Sequence, residues 1–99
     1  MQDNREDLIE LYDIYKELLT DKQKTYFEDY FYMDLSLSEI ANNNNVSRNA
    51  VFDQIKRVEK ALYEYEEKLH LKKKIFKLES LEVNDDIKEL ISNIIWEEI

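Results

Sequence analysis

Residues 36–62, SLSEIANNNNVSRNAVFDQIKRVEKAL, carry two helix starts, one break and an apolar pattern that fits two crossed helices. Ser36 with Glu39 has the spacing of a capping box, the hydroxyl accepting from the backbone three residues on while the carboxylate reaches back. Ile40 and Ala41 follow on the inner face, and the small Ala41 lets a second helix cross closely. Asn42 to Asn45 then interrupt the helix. Ser47 is a second N-cap, preceded by Val46 and followed by Val51, Ile55, Val58 and Leu62 at helical spacing. The pattern predicts a helix-turn-helix. The turn has no glycine at the place that needs a positive φ, and Asn45, the next most tolerant residue type, takes it. Asn44 falls where an apolar side chain usually points into the core, which predicts a loosely packed turn.

Outward from this unit, the 99 residues suit one helical domain and leave no room for a second core of ordinary size. Gly and Pro are absent. Average usage would give about a dozen of them together. Tight hairpins are therefore poorly supplied and an all-α chain is predicted. Asp7 to Leu19 reads as a first helix with Leu8, Leu11, Tyr12, Tyr15, Leu18 and Leu19 on one side. Thr20 and Gln23 form another capping box, opening a helix over about 21–32 with Tyr26, Phe27, Tyr30 and Phe31 as core anchors. The helix after Ser47 continues its stripe through Tyr65 and Leu69, a coiled-coil seam. Near His70 the pattern slips, because Lys72 takes an apolar place. A helix over 47–69 is about 34 Å long, more than the three short helices can cover. Two further helices, over about 71–81 and 85–99, are the candidates to bury its far half, the latter capped by Asn84 or Asp85. Ile87, Leu90, Ile91, Ile94, Ile95, Trp96 and Ile99 give the last helix a surface too broad for one neighbour. It fills the core along the long helix or meets a second chain, and a homodimer through Ile87, Leu90, Ile91, Ile94, Ile95 and Trp96 is the expectation.

The net charge is −9, but segment 47–62 carries +2. The acidic whole is a poor partner for nucleic acid, whereas the helix after Ser47 is its basic exception. No cysteine is present, so disulfides and thiolate metal sites are excluded, as fits a reducing cytoplasm. The start, MQDNREDLIELYDIY, lacks the basic and apolar regions of a signal peptide, and no stretch approaches the roughly 18 apolar residues of a membrane span. The expectation is a soluble cytoplasmic protein. With one histidine and no glycine-rich loop, two-histidine metal sites and phosphate cradles are excluded. Glu66 and Glu67 point to different sides of a helix and do not suit acid–base work. Neither an enzyme nor a cofactor is expected. The LKKK run at 71–74 reads as a solvated face, and His70 as a helix C-terminal residue favouring the negative end of the dipole.

LLTDKQKTYFEDYFYMDLSLSEIA, VSRNAVFDQIKRVEKAL and YEEKLHL, between Leu18 and Leu71, resemble the YlxM family of small bacterial proteins and, more distantly, region 4 of bacterial sigma factors. The family pattern has glycine where this chain has Asn45 and His70. The resemblance implies a sigma region 4-like helix-turn-helix core over about 20–69, with a long second helix and a C-terminal helical extension over about 71–99. It further implies a regulatory role in the signal recognition particle pathway, since the family's genes typically lie beside those for that pathway's proteins. By the same resemblance Ser47, Arg48, Asn49 and Asp53 face the DNA major groove, with Lys56 and Arg57 near phosphates. Asp53 departs from that pattern, because its carboxylate repels phosphate and pairs only with a cytosine amino group. Two functions stand side by side: a regulatory protein that binds DNA or RNA and acts on signal recognition particle components, and a protein adaptor or assembly factor that uses the same fold as an interaction surface without sequence-specific DNA binding.

Overall fold

Local hydrogen-bonding signals divide the chain where the sequence places them. A computed structural model describes residues 5–97, which form α1 (Arg5–Tyr15), a short 3-10 turn (Lys16–Leu18), α2 (Asp21–Phe31), α3 (Leu37–Asn44), α4 (Arg48–Leu69), α5 (Leu71–Glu79) and α6 (Asp85–Ile95). The protein is all-helical over these residues. Both capping boxes are made: Thr20 Oγ1 accepts from Gln23 N–H while Gln23 Oε1 accepts from Thr20 N–H, and Ser36 and Glu39 do the same. Ser47 Oγ accepts from Ala50 N–H at 3.0 Å, and Asn84 Oδ1 accepts from Ile87 N–H at 2.9 Å. Each cap satisfies an N–H that the helix geometry leaves unpaired, which is why these polar residues start helices that their apolar successors then pack.

The core is built on α4. Val51, Ile55, Val58 and Leu62 are buried along one stripe. Against it pack Ile40 and Ala41 of α3, Tyr26, Phe27 and Phe31 of α2, and Leu8, Leu11, Tyr12 and Tyr15 of α1. The aromatic residues are core, as their helical spacing predicts: Tyr12 stacks on Phe27 at 4.2 Å between ring centroids, and Phe27 on Phe31 at 4.4 Å. Tyr30 is half-buried at the edge of this cluster. Helical structure is already present at Arg5, the first described residue and ahead of the expected Asp7; the Arg5 guanidinium donates to the Phe31 carbonyl, lies over the Phe31 ring and pairs with Asp34 at 3.1 Å.

Two residues with a β-carbon hold left-handed backbone at the ends of helices as expected, Asn45 at φ 54° and His70 at φ 56°. After α3, Val46 N–H reaches back to the Ala41 carbonyl at 3.1 Å, closing the type of C-terminal turn that the left-handed residue permits. Asn44 is exposed, and its amide donates to the Ile40 carbonyl at 2.8 Å. Val46, half-buried against the core, supplies the apolar contact that Asn44 does not.

The far half of α4 differs from the sequence expectation. α6 does not lie along it; α6 packs on α5, and none of its described residues is fully buried. It ends at Ile95, with Ile99 outside the described residues. What covers α4 beyond Leu62 is α1 together with α5. Tyr15 packs on Tyr65 at 5.7 Å between centroids, and its hydroxyl donates to Glu66 Oε1 at 2.8 Å and accepts from Leu71 N–H at 3.2 Å. Glu66 also accepts from Lys72 N–H at 3.0 Å. Lys72 breaks the apolar stripe because its ammonium belongs to α1, where it pairs with Asp7 and, at 3.1 Å, with Glu10.

Candidate nucleic-acid interface

The buried stripe of α4 fixes which side of the helix faces outward. At 3.6 residues per turn, Asn49, Asp53 and Lys56 fall opposite Val51, Ile55 and Val58, with Arg57 beside them. All four are exposed, as are Ser47 and Arg48. The fold thus brings the six sequence-derived site residues to the first half of one helix. Their roles are unequal. The Ser47 hydroxyl is occupied by the cap to Ala50, so its part is to start the helix. Arg48 and Asn49 sit in the first turn, which carries no acidic residue, and its N–H groups keep the positive end of the helix dipole unopposed. That arrangement favours an anion.

Further along, the Lys56 ammonium lies 3.8 Å from Glu59 Oε1 and 5.6 Å from the Phe52 ring centroid. It is drawn toward the helix surface but remains partly exposed. Asp53 and Arg57, at i and i+4, make no ion pair within 4.0 Å among the described residues. Arg57 therefore remains available. Glu59 is buried, and Oε2 finds no hydrogen-bond partner among the described residues. Burial raises its carboxyl above the usual range, against the opposing pull of Lys56.

Two contributors escaped the sequence reading. Lys60, four residues after Lys56, extends the same exposed face by one turn, and Phe52 places a partly exposed ring beside Lys56. The i+4 step to Lys60 was visible in the sequence; Phe52 was hidden because nothing local distinguishes an outward ring from one that joins a seam. Of the six residues expected at a second-chain contact, Ile87, Leu90, Ile94 and Trp96 are exposed, whereas Ile91 and Ile95 are partly covered. No cluster of three or more His, Cys, Asp or Glu side chains suited to a metal ion occurs among the described residues, and none of their helices is long and apolar enough to cross a membrane.

Two helices joined by the left-handed turn at Asn45, the second presenting its N-terminal half outward, define the class: a helix-turn-helix protein. Residues 2–97 match UPF0122, described as "Putative helix-turn-helix protein, YlxM / p13 like", and the chain belongs to this family. A UPF0122 protein of Mycoplasma capricolum is 50% identical over 98 residues, covering 91% of this chain and 87% of the relative. One from Fusobacterium nucleatum is 43% identical over 96 residues, covering 90% and 93%. The UPF0122 protein YlxM of Bacillus subtilis is 51% identical over 82 residues, covering 83% and 73%. The family is described by its fold and not as an enzyme family.

Proposed function

We propose that this chain is a regulatory protein that binds nucleic acid through the first half of α4 and acts in the signal recognition particle pathway. The carrying observation is the exposed outer face of α4, along which Arg48, Lys56, Arg57 and Lys60 are spread over about the first three to four turns, beginning at a first turn without an acidic residue. Arg48 and Asn49 are the base-reading candidates, since guanidinium and amide groups suit the donor and acceptor pattern of guanine and adenine edges. Lys56, Arg57 and Lys60 are the phosphate contacts, and Asp53 selects against a phosphate at its own position. The pathway assignment rests on the resemblance to YlxM. In this reading residues 1–99 act as one helical domain in the cytoplasm, with the helix-turn-helix core at about 20–69 and the extension at about 71–99.

A second reading, an adaptor that binds protein through the same fold, is favoured by the net charge of −9, which opposes association with a polyanion. Purification of the tagged full chain from its native cell, with and without nuclease, separates the two. Co-purifying nucleic acid that disappears in an Arg48→Ala, Arg57→Ala variant supports the first reading. A partner set unchanged by nuclease, with no retained nucleic acid, supports the adaptor.

A further inference from the structure

Phe52 is a large apolar side chain that the core does not use. The stripe of Val51, Ile55, Val58 and Leu62 is at most 1% exposed and closes against α1, α2 and α3 without it. Phe52 is 37% exposed, and it belongs neither to the buried cluster nor to the half-buried apolar residues packed on that cluster. No other aromatic ring meets it among the described residues. Phe27 and Phe31 of α2, by contrast, are 0% and 4% exposed.

Its place on α4 is defined by its neighbours. Phe52 lies one turn beyond Arg48, one turn before Lys56 and three residues after Asn49, so all three are adjacent to it on the helix surface. Helical side chains lean toward the N-terminus of their helix. The ring therefore covers surface over the first turn, where Arg48 and Asn49 stand, and Lys56 leans back over the ring, its ammonium 5.6 Å from the centroid. The result is a row of cation, ring and cation. Counting Asp53 and Glu59 against Arg48, Lys56, Arg57 and Lys60, the segment keeps a net charge of +2, so the ring is set in a surface complementary to a polyanion.

An apolar ring within such a face has one matching feature in a nucleic-acid groove. Of the four base edges in the major groove of DNA, only thymine presents a methyl group, whereas guanine, adenine and cytosine are told apart by hydrogen-bonding atoms. Duplex RNA offers no equivalent, because uracil lacks the methyl and the A-form major groove is too deep and narrow for side chains to read.

We infer that the partner of this face is double-stranded DNA, and that the Phe52 ring packs against the C5 methyl of a thymine beside the bases addressed by Arg48 and Asn49. The inference rests on the nucleic-acid reading of α4 and deepens it. Phe52 determines specificity, while Lys56, Arg57 and Lys60 hold the backbone of any sequence.

The test titrates the full chain with a duplex selected from a random DNA pool, replacing each thymine in turn by deoxyuridine. That exchange removes the methyl and keeps every hydrogen-bonding atom. At one thymine the wild-type chain is expected to lose about fourfold in affinity, the scale of one buried methyl group, and Phe52→Ala is expected to bind the thymine and deoxyuridine duplexes alike. Circular dichroism and a denaturant midpoint check that the variant folds. Photocrosslinking with 5-iododeoxyuridine at the sensitive position needs no variant and is expected to label Phe52. A label elsewhere, a deoxyuridine effect that persists in Phe52→Ala, or the lack of any sensitive thymine overturns the inference; the nucleic-acid reading survives each if Arg48→Ala still weakens binding. If Phe52→Ala lowers the salt slope as Lys56→Ala does and leaves the deoxyuridine response unchanged, the ring is a support for Lys56 and the inference fails. Tighter binding of duplex RNA than of any duplex DNA overturns it in favour of RNA. No binding of any duplex at low salt removes this inference and the nucleic-acid reading together.

Discussion

Replacing Tyr15 with Phe keeps the ring that packs on Tyr65 and removes only the hydroxyl that ties α5 to the rest of the fold. That hydroxyl donates to Glu66 at 2.8 Å and accepts from Leu71 N–H at 3.2 Å, so two hydrogen bonds are lost, one of them to a carboxylate. A bond to a charged group contributes about 1.5–3 kcal/mol and a neutral one about 0.5–1.5, and partial exposure of Glu66 argues for the lower part of each range. The expected loss is about 2–3 kcal/mol, or a drop of roughly 1–2 M in the urea midpoint at the slope of a small domain. Burial pushes the Tyr15 hydroxyl up to about 12, with the Glu66 bond adding to it. Because that value lies above the ordinary tyrosine range, the contribution is whole below about pH 10 and fades as pH rises toward 12. Burial also acts to raise Glu66, but hydrogen bonds from Lys72 N–H and Tyr15 outweigh it and hold the carboxyl low. The Glu66 contribution is therefore whole above the ordinary carboxylate value of about 4.3 and declines as pH falls through the folded one. Urea titrations at neutral pH, acid pH and pH 11 measure all three regimes. A neutral-pH loss under about 0.5 kcal/mol, or a loss independent of pH, refutes this account of the α4–α5 corner.

Two further substitutions probe the turn and the buried acid. Asn45→Gly is neutral or stabilising, because left-handed backbone costs a residue with a β-carbon about 1 kcal/mol or more, while Asn45→Val destabilises more than Asn43→Val; equal denaturant midpoints for the two valine variants would contradict the geometry at φ 54°. Glu59→Gln raises stability at neutral pH, because the folded carboxyl is raised and its ionised form carries a burial penalty. The penalty is present above the folded value and disappears as pH falls through it toward the unfolded one, so the benefit of the amide shrinks in acid; a benefit that grows on acidification has the wrong sign.

Helix starts were legible because they are local. Thr20 with Gln23, Ser36 with Glu39, and Ser47 satisfy N–H groups within three residues, and any chain with those spacings can close the same bonds. The stripe from Val51 to Leu62 was legible for a similar reason, since one period decides which side is buried. Lys72 was not, because its partners Asp7 and Glu10 lie more than sixty positions away and periodicity says nothing of them. Glu59 sits next to Val58 and reads as solvent-facing until the neighbouring elements are placed. The position of α6 was also hidden. Its pattern of seven large apolar residues specifies that a surface must be covered, without specifying which chain covers it. At the candidate interface the outward direction of Arg48, Asn49, Asp53, Lys56 and Arg57 followed from the stripe, whereas the pull of Glu59 and Phe52 on Lys56 required three dimensions.

The most direct test of the nucleic-acid reading is a fluorescence titration of the full chain with duplex DNA and RNA, selected from a random pool, at two salt concentrations. The account predicts that Arg48→Ala weakens the preferred sequence by about 1–3 kcal/mol and relaxes specificity, while Lys56→Ala weakens all sequences alike and lowers the salt slope by about one. No binding of any duplex at low salt, or unchanged affinity in both variants, would contradict it.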